Sequence, residues 1–260
     1  MTYQPIAASK WILKPRPNAA ARFRLFCFPY AGGGSSAYRA WAAELPANVE
    51  LCLVQMPGRE SRWKDAPFTN MAELVQTAHD GLREHLDRPY AFFGHSLGGL
   101  VAFELARALR ASGSPLPAHL FVSAHRAPQL PNPHPEMRQL DDDAFVDEIK
   151  RRYGGIPQAV LDTPDLLQLV LPCLRADFTV FETYEYVDGA PLDIPISAFG
   201  GTGDGYVKRD AIAEWASQTS QPFALKMLPG DHFYLQNERA AVLSSIASAL
   251  SNAATVGAPR

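Results

Sequence analysis

Gly94-His95-Ser96-Leu97-Gly98-Gly99 decides the fold, because it lies between an apolar run at residues 90–93 and a segment with helical spacing that begins at Leu97. A serine on a sharp turn between a strand and a helix needs glycines on both sides, since the strained backbone leaves no room for β-carbons. Gly94 and Gly98 meet that need. The pattern predicts a nucleophile elbow, in which the Ser96 hydroxyl stands above the end of a sheet and faces the amino end of a helix.

Apolar, β-rich runs recur along the chain, with helical patterns between them. The runs cover residues 24–29, 50–55, 90–95, 119–124, 194–200 and 223–228. This alternation predicts a mostly parallel central sheet with helices on both faces. Together with the elbow, it predicts an α/β-hydrolase fold in a single domain over residues 1–260. The tails, residues 1–21 and 252–260, are expected to be loosely held.

Residues 126–193 break the alternation, because no convincing strand pattern appears and two helical patterns take its place. The first helix is expected to end at Tyr153, with basic residues in its last turn. The second is expected from Thr163-Pro164 toward Tyr184, with a kink at Pro172. Helices inserted after a strand commonly form a lid over a site, so we expect a helical lid within the domain. The alternative is that these helices only extend the core.

Composition and charge exclude several classes of function. A net charge of -3 provides no basic field for nucleic acid or an anionic membrane. The apolar runs fall far short of the roughly 20 residues of a membrane span, and the start lacks a secretory layout. Cys27, Cys52 and Cys173 are far apart and lie in apolar runs, which favours buried thiols over a disulfide framework. We therefore expect a cytoplasmic protein that binds neither nucleic acid nor membrane.

A serine hydroxyl is a poor nucleophile at neutral pH, so a base must lie within hydrogen-bonding reach. Hydrolases of this fold supply serine, acid and histidine in that chain order. His232 fits the order, since it lies in a loop after the last apolar run. Asp204 is the favoured acid, because it lies in a glycine-rich loop after the preceding run. Asp210 and Asp231 remain alternatives.

The oxyanion formed during acyl transfer needs two fixed hydrogen-bond donors. One is expected from the amide after the nucleophile, which is Leu97 N–H. The other is expected from the loop 29–36, which contains three consecutive glycines after an early apolar run, and Ala31 N–H is favoured. Such a loop can also cradle a phosphate, but no Lys-Ser or Lys-Thr follows the glycines. This chemistry requires neither a metal nor a cofactor.

Four segments together resemble the free-standing type II thioesterases that serve nonribosomal peptide and polyketide synthases. They are Phe28-Pro29-Tyr30-Ala31-Gly32-Gly33, Gln55-Met56-Pro57-Gly58-Arg59-Glu60, Gly94-His95-Ser96-Leu97-Gly98-Gly99 and Gly230-Asp231-His232-Phe233-Tyr234. The second is the most discriminating, since generic esterases share the elbow but rarely this segment. By itself it could shape a turn, with Arg59 and Glu60 as a local ion pair, or it could contact the substrate. One mild departure is His125-Arg126 before Ala127-Pro128, where family members often carry Arg-Arg.

The resemblance implies hydrolysis of acyl or aminoacyl thioesters on the phosphopantetheine arms of acyl or peptidyl carrier domains, which clears stalled synthases. The carrier domains would be transient partners, and the arm belongs to the substrate. Two alternatives stay open. One is a general carboxylesterase or lipase of the same fold, and the other is a binding protein that has lost the chemistry. Lys150-Arg151-Arg152 forms a tight basic triplet that could dock an acidic carrier domain or could be a solvated helix end.

Overall fold

The computed structural model describes residues 10–256, with side chains described as far as Ser251. Its centre is a seven-stranded sheet with the order β1-β3-β2-β4-β5-β6-β7. The strands are β1 (Ile12–Leu13), β2 (Phe23–Phe28), β3 (Val49–Val54), β4 (Tyr90–His95), β5 (His119–Ser123), β6 (Ile196–Gly201) and β7 (Phe223–Leu228). All neighbouring strands are parallel except β1 and β3. The prediction of a mostly parallel sheet is confirmed.

Helices pack on both faces of this sheet. They are α1 (Met71–Leu82), α2 (Leu97–Ala111), α3 (Asp142–Tyr153), α4 (Gln158–Leu161), α5 (Pro164–Glu182), α6 (Arg209–Ala213) and α7 (Arg239–Val256), with short 3₁₀ helices at Ser35–Ala43, Glu60–Arg62, Arg83–His85, Glu214–Gln218 and Tyr234–Gln236. Side chains of β2 alternate between two hydrophobic clusters, with Phe26 beside α1 and α2 and Leu25 beside α7. Successive strand residues point to opposite faces. The clusters therefore cover the two faces of the sheet, as predicted.

The segment between β5 and β6 folds into α3, α4 and α5, which we call the helical insertion. The Asp141 carboxylate caps α3 by accepting the Ala144 N–H at 2.9 Å, and α5 continues through Pro172 to Glu182. Both predicted helices are confirmed, whereas the four-residue α4 was not predicted. A third hydrophobic cluster joins α3 to α5, with the rings of Phe145 and Phe178 centred 5.5 Å apart. The insertion therefore contains apolar packing of its own.

The prediction of a loosely held amino-terminal tail is wrong for Trp11 and β1. Trp11 is 1% exposed, and its carbonyl accepts the Gln55 N–H at 2.8 Å. The indole packs so closely on α1 that a β-carbon at Gly81 would lie 2.3 Å from Trp11 Cδ1. A strand of two residues is too short to show alternation, which is why the pattern did not reveal it. At the other end, α7 extends to Val256, into the tail predicted to be loosely held from residue 252, while residues 1–9 and 257–260 lie outside the described part of the chain.

None of the helices among residues 10–256 combines the length and apolarity needed to cross a membrane.

Replacing Trp11 by alanine tests this packing. We expect Trp11→Ala to lower the free energy of unfolding by roughly 3–5 kcal/mol, because it leaves a cavity beside α1. Trp63→Ala is the matched control, since that ring is 56% exposed. It should change the free energy of unfolding by less than about 1 kcal/mol. Urea unfolding followed by far-ultraviolet circular dichroism measures both, and equal losses in the two variants would contradict the packing of Trp11.

Candidate active site

Ser96 stands on the turn between β4 and α2 in a strained backbone conformation. Its φ is 52° and its ψ is -122°, in a region that residues other than glycine rarely adopt. The Ser96 N–H donates to the Ser123 carbonyl at the end of β5, 2.7 Å away. A β-carbon at Gly98 would lie 2.2 Å from the Phe28 carbonyl oxygen, and one at Gly94 would lie 2.1 Å from the Gly98 carbonyl oxygen. Steric exclusion therefore accounts for both glycines of the predicted elbow.

Asp204 and His232 form a buried acid–base pair, with Asp204 Oδ2 2.7 Å from His232 Nδ1. Asp204 Oδ1 accepts the backbone N–H groups of Tyr206 and Val207 at 2.8 and 3.0 Å. Burial alone raises the pKa of the Asp204 carboxyl, but the hydrogen bonds from His232 and the two amides outweigh it, so this pKa is lowered. An ionised carboxylate held in this way orients the imidazole and leaves Nε2 free to act as a base.

The two alternative acids lie elsewhere. Asp210 is in the first turn of α6, where its side chain is 97% exposed beside Arg209. The Asp231 carboxylate accepts the Phe233 N–H at 2.8 Å, within its own loop. Of the three candidates, Asp204 is therefore the one that contacts His232.

Ser96, His232, Leu97 and Ala31 line one cavity above the carboxyl edge of the sheet. Most of its remaining wall is apolar and comes from the helical insertion: Ile149, Tyr153, Ile156, Leu174, Phe178 and Phe181. Four of the five predicted site residues thus share this cavity, and the fifth, Asp204, is hydrogen-bonded to His232. Within the described residues, no group of three or more His, Cys, Asp or Glu side chains could hold a metal ion.

A second cavity also opens onto Ser96 and His232, and a larger share of its lining residues is polar or charged. It is lined by side chains that include His125, Arg126, His134, Tyr206 and Lys208. Tyr153 lines both cavities, and its ring centroid lies 5.0 Å from that of His232. Burial raises the pKa of Tyr153 to about 12, so this side chain is a neutral phenol at physiological pH.

The glycine-rich loop after β2 forms a tight turn beside the cavity. The Gly33 N–H donates to the Tyr30 carbonyl at 2.8 Å, and Gly32 has a φ of 72° at the third position of this turn. In a trans peptide the C=O and N–H groups point in opposite directions. Because the Tyr30 carbonyl points into the turn, the N–H of the same peptide, which belongs to Ala31, points away from it. This leaves Ala31 N–H available to a ligand.

Sequence reasoning missed the partners of the Pro-Gly-Arg-Glu segment, and the interpretation of Arg59 and Glu60 as a local ion pair is wrong. The Arg59 guanidinium pairs with both oxygens of Asp177, a residue of α5, at 2.7 and 2.8 Å. Glu60 instead accepts the Ser35 N–H and hydroxyl at 2.9 and 2.5 Å and the Ser36 N–H at 2.9 Å. The available signal was an acidic residue on the apolar face of α5, three residues after Leu174 and directly before Phe178.

A second buried network behind the elbow was also missed. His95 Nδ1 lies 2.8 Å from Ser123 Oγ, which lies 2.5 Å from the Tyr234 hydroxyl. Burial, with a smaller contribution from neighbouring His232, holds the pKa of His95 well below its usual value, so the ring is neutral. Tyr234 follows His232 by two residues, so the network fixes the histidine loop against β4 and β5.

The basic triplet does not form a uniformly exposed patch. Lys150 and Arg151 are exposed, and Arg151 pairs with Glu148. Arg152 is buried, pairs with the same carboxylate and donates to the Pro135 carbonyl at 2.8 Å. The interpretation of the whole triplet as a docking surface is therefore wrong for Arg152, which holds part of the insertion together.

Comparison with known proteins points to one family. The family model described as "Thioesterase domain" matches residues 23–250. Gramicidin S biosynthesis protein GrsT of Aneurinibacillus migulanus is 41% identical over 231 residues, which cover 89% of this chain and 90% of that protein. The similarity therefore includes the elbow, the acid loop and the histidine loop.

Solved structures of similar fold lead in the same direction. RedJ, a thioesterase from the prodiginine pathway of Streptomyces coelicolor, has a TM-score of 0.84 at 38% identity, covering 89% of this chain and 91% of its own. BorB, the type II thioesterase from the borrelidin biosynthetic cluster, has a TM-score of 0.84 at 36% identity, with coverage of 92% and 97%. Both matches extend over nearly the whole length of the two chains.

The acid–base pair generates a prediction about the reactivity of Ser96. We expect Asp204→Asn to slow covalent labelling of Ser96 by a fluorophosphonate by a factor on the order of 10⁴, because an amide can hold the imidazole in the wrong tautomer. Asp210→Asn and Asp231→Asn are matched controls and should label at nearly the wild-type rate. Mass spectrometry measures the labelling rate of each variant. If Asp210→Asn or Asp231→Asn were the slow variant, Asp204 would not be the acid.

Proposed function

Because the chain belongs to the thioesterase family, we propose that it releases acyl or aminoacyl groups from the phosphopantetheine arms of carrier domains and so clears stalled nonribosomal peptide or polyketide synthases. It is a serine hydrolase of the α/β-hydrolase fold. The observation that carries the proposal is the strained Ser96, which shares an apolar cavity with His232 while Asp204 orients that histidine. The named pathways of GrsT, RedJ and BorB support the choice of substrate class.

In the first half of the proposed reaction, Ser96 Oγ attacks the thioester carbonyl while His232 Nε2 takes the hydroxyl proton. Asp204 stabilises the imidazolium that forms. The N–H groups of Leu97 and Ala31 donate to the developing oxyanion, which is where preorganised donors have their largest effect. Collapse of the tetrahedral intermediate breaks the carbon–sulfur bond, and the departing pantetheine sulfur receives the proton from His232.

In the second half, His232 takes a proton from a water molecule as that water attacks the acyl-enzyme. The second tetrahedral intermediate breaks the bond to Ser96 Oγ, and the proton on His232 returns to that oxygen. The products are the free acid and the regenerated serine. Thiolates are good leaving groups, so a positioned nucleophile, a base and an oxyanion hole account for this chemistry.

The helical insertion, residues 126–193, acts in this proposal as a lid within a single hydrolase domain. Its apolar side chains in the first cavity, among them Ile149, Leu174 and Phe178, suit an acyl chain. The second cavity reaches the same serine and carries Arg126 and Lys208, which suit the amides and phosphate of a pantetheine arm. The two cavities would thus hold the two ends of one thioester.

The proposed partners are carrier domains that visit transiently and in trans. Lys150 and Arg151, the exposed part of the basic triplet, each pair with an acidic residue one turn earlier on α3 and can also contact an acidic carrier surface. We place the protein in the cytoplasm with its synthase. This location is supported by the thiols of Cys27, Cys52 and Cys173, which are all free and buried.

Initial rates on matched substrates test the proposal. We expect an acyl-pantetheine thioester to be hydrolysed faster than the oxygen ester of the same acyl group, since the thiol leaves more readily. Ser96→Ala should lower turnover of the thioester by roughly a factor of a million, with the circular dichroism spectrum unchanged. Equal or faster hydrolysis of the oxygen ester would indicate a general esterase. Turnover that survives in Ser96→Ala would overturn the serine mechanism.

A further inference from the structure

Asp177 connects the helical insertion to the glycine-rich loop through a network that the proposed reaction steps do not use. We propose that Asp177 and Arg59 are positioning residues, which hold the Ala31 N–H in place for the oxyanion and make that placement depend on the seating of α5. This inference rests on the proposed role of Ala31 and identifies what holds that donor.

The Asp177–Arg59 network is hydrogen-bonded to two backbone groups of the glycine-rich loop. Asp177 Oδ2 accepts the Gly32 N–H at 2.7 Å and Arg59 Nη1 at 2.7 Å. Asp177 Oδ1 accepts from Arg59 Nη2 at 2.8 Å. The same Arg59 Nη1 also donates to the Gly33 carbonyl at 3.0 Å. The loop is therefore held by an N–H on one residue and a C=O on the next.

The network and the hydrogen bond within the turn together fix both peptide planes that flank Ala31. The plane before Ala31 carries the Tyr30 carbonyl, which is held by the Gly33 N–H at 2.8 Å. The plane after Ala31 carries the Gly32 N–H, which is held by Asp177. A residue has only two soft backbone torsions, and these relate the two planes. With both planes held, the Ala31 N–H cannot turn away from the cavity without breaking a hydrogen bond.

The network is buried and almost fully hydrogen-bonded. Asp177 is 2% exposed and Arg59 is 9% exposed. Arg59 Nε donates to the Pro57 carbonyl at 3.2 Å, so three nitrogens of the guanidinium are used. A buried ion pair contributes little net stability compared with apolar residues of similar size. A gain in stability therefore explains the buried Arg59–Asp177 pair poorly. Its contacts with the glycine-rich loop explain it better, because they fix the geometry of that loop.

The carboxylate comes from the helix that also walls the acyl cavity. Leu174, one turn before Asp177 on α5, lines that cavity and packs against the loop. A β-carbon at Gly32 would lie 2.6 Å from Leu174 Cδ1. Movement of α5 away from the sheet would remove the acceptor of the Gly32 N–H along with the cavity wall. The oxyanion donor would then be positioned only while α5 is seated.

The principal test is Asp177→Asn, assayed in the full-length protein with an acyl-pantetheine thioester. The variant keeps the side-chain volume, removes the negative charge and replaces one acceptor by an amide NH₂. We expect kcat to fall roughly tenfold to a hundredfold with KM nearly unchanged, since a misplaced donor weakens transition-state stabilisation. An alkyl trifluoromethyl ketone, which forms a tetrahedral adduct with Ser96, should show an inhibition constant that is higher by the same factor. The Kd of a non-hydrolysable thioether analogue should not change.

Glu182→Gln is the matched control on the same helix. Its carboxylate also holds the insertion, by accepting the Met137 and Arg138 N–H groups at 2.7 and 2.9 Å, and it does not contact the glycine-rich loop. We expect this variant to keep wild-type kcat and wild-type affinity for the trifluoromethyl ketone. If Glu182→Gln lost as much kcat as Asp177→Asn, the effect would come from the insertion as a whole, and the inference would be overturned.

A double variant separates positioning from stability. Arg59→Met with Asp177→Leu removes both charges, so neither is left buried without a partner. We expect its melting temperature to recover relative to Asp177→Asn while kcat stays low, because leucine offers the Gly32 N–H no acceptor. Recovery of kcat together with the melting temperature would overturn the inference. If the wild type failed to hydrolyse the thioester, the proposed function would fall instead, before any variant was compared.

Discussion

At the elbow, backbone packs directly against backbone and leaves no room for side chains. The rest of the site depends on this constraint. Gly94 and Gly98 let α2 begin directly against β4 and against the end of β2, at distances that a β-carbon would forbid. The same contact forces Ser96 to a φ of 52° and brings its N–H to β5. Three neighbouring strands therefore end around one hydroxyl, and the loops that follow them meet there. The loop after β2 and the amino end of α2 become adjacent as a consequence.

What the sequence could predict follows from how local each signal is. The strands were predictable because β2 to β5 are buried along their whole length, and the start of α3 because Asp141 is a local cap. Chain order was enough to nominate Asp204 and His232, which the structure brings to 2.7 Å. The Arg59–Asp177 pair joins residues 118 positions apart, and no local pattern encodes such a contact. The strand β1 was missed because its two residues are too few to show the alternation typical of a strand.

Two buried polar networks flank the site, and each joins elements that are distant in the chain. One links Arg59 and the glycine-rich loop to α5, and the other links His95 and β5 to the loop that carries His232. A satisfied buried network specifies one geometry, because any shift leaves a polar group without a partner in a medium of low dielectric constant. The donor side and the base side of the site are therefore held separately.

The apolar cluster of the helical insertion has an evolutionary consequence. Among the described residues it shares two side chains with the larger cluster of the sheet, Ala31 and Phe181. Substitutions inside the insertion can accordingly be compensated by neighbours inside the insertion, leaving the packing of the sheet unaltered. Acyl selectivity can then drift between descendants of one ancestral gene while the reacting groups stay fixed. The shared positions are the exception, because a substitution there alters the packing of both clusters and is constrained by both.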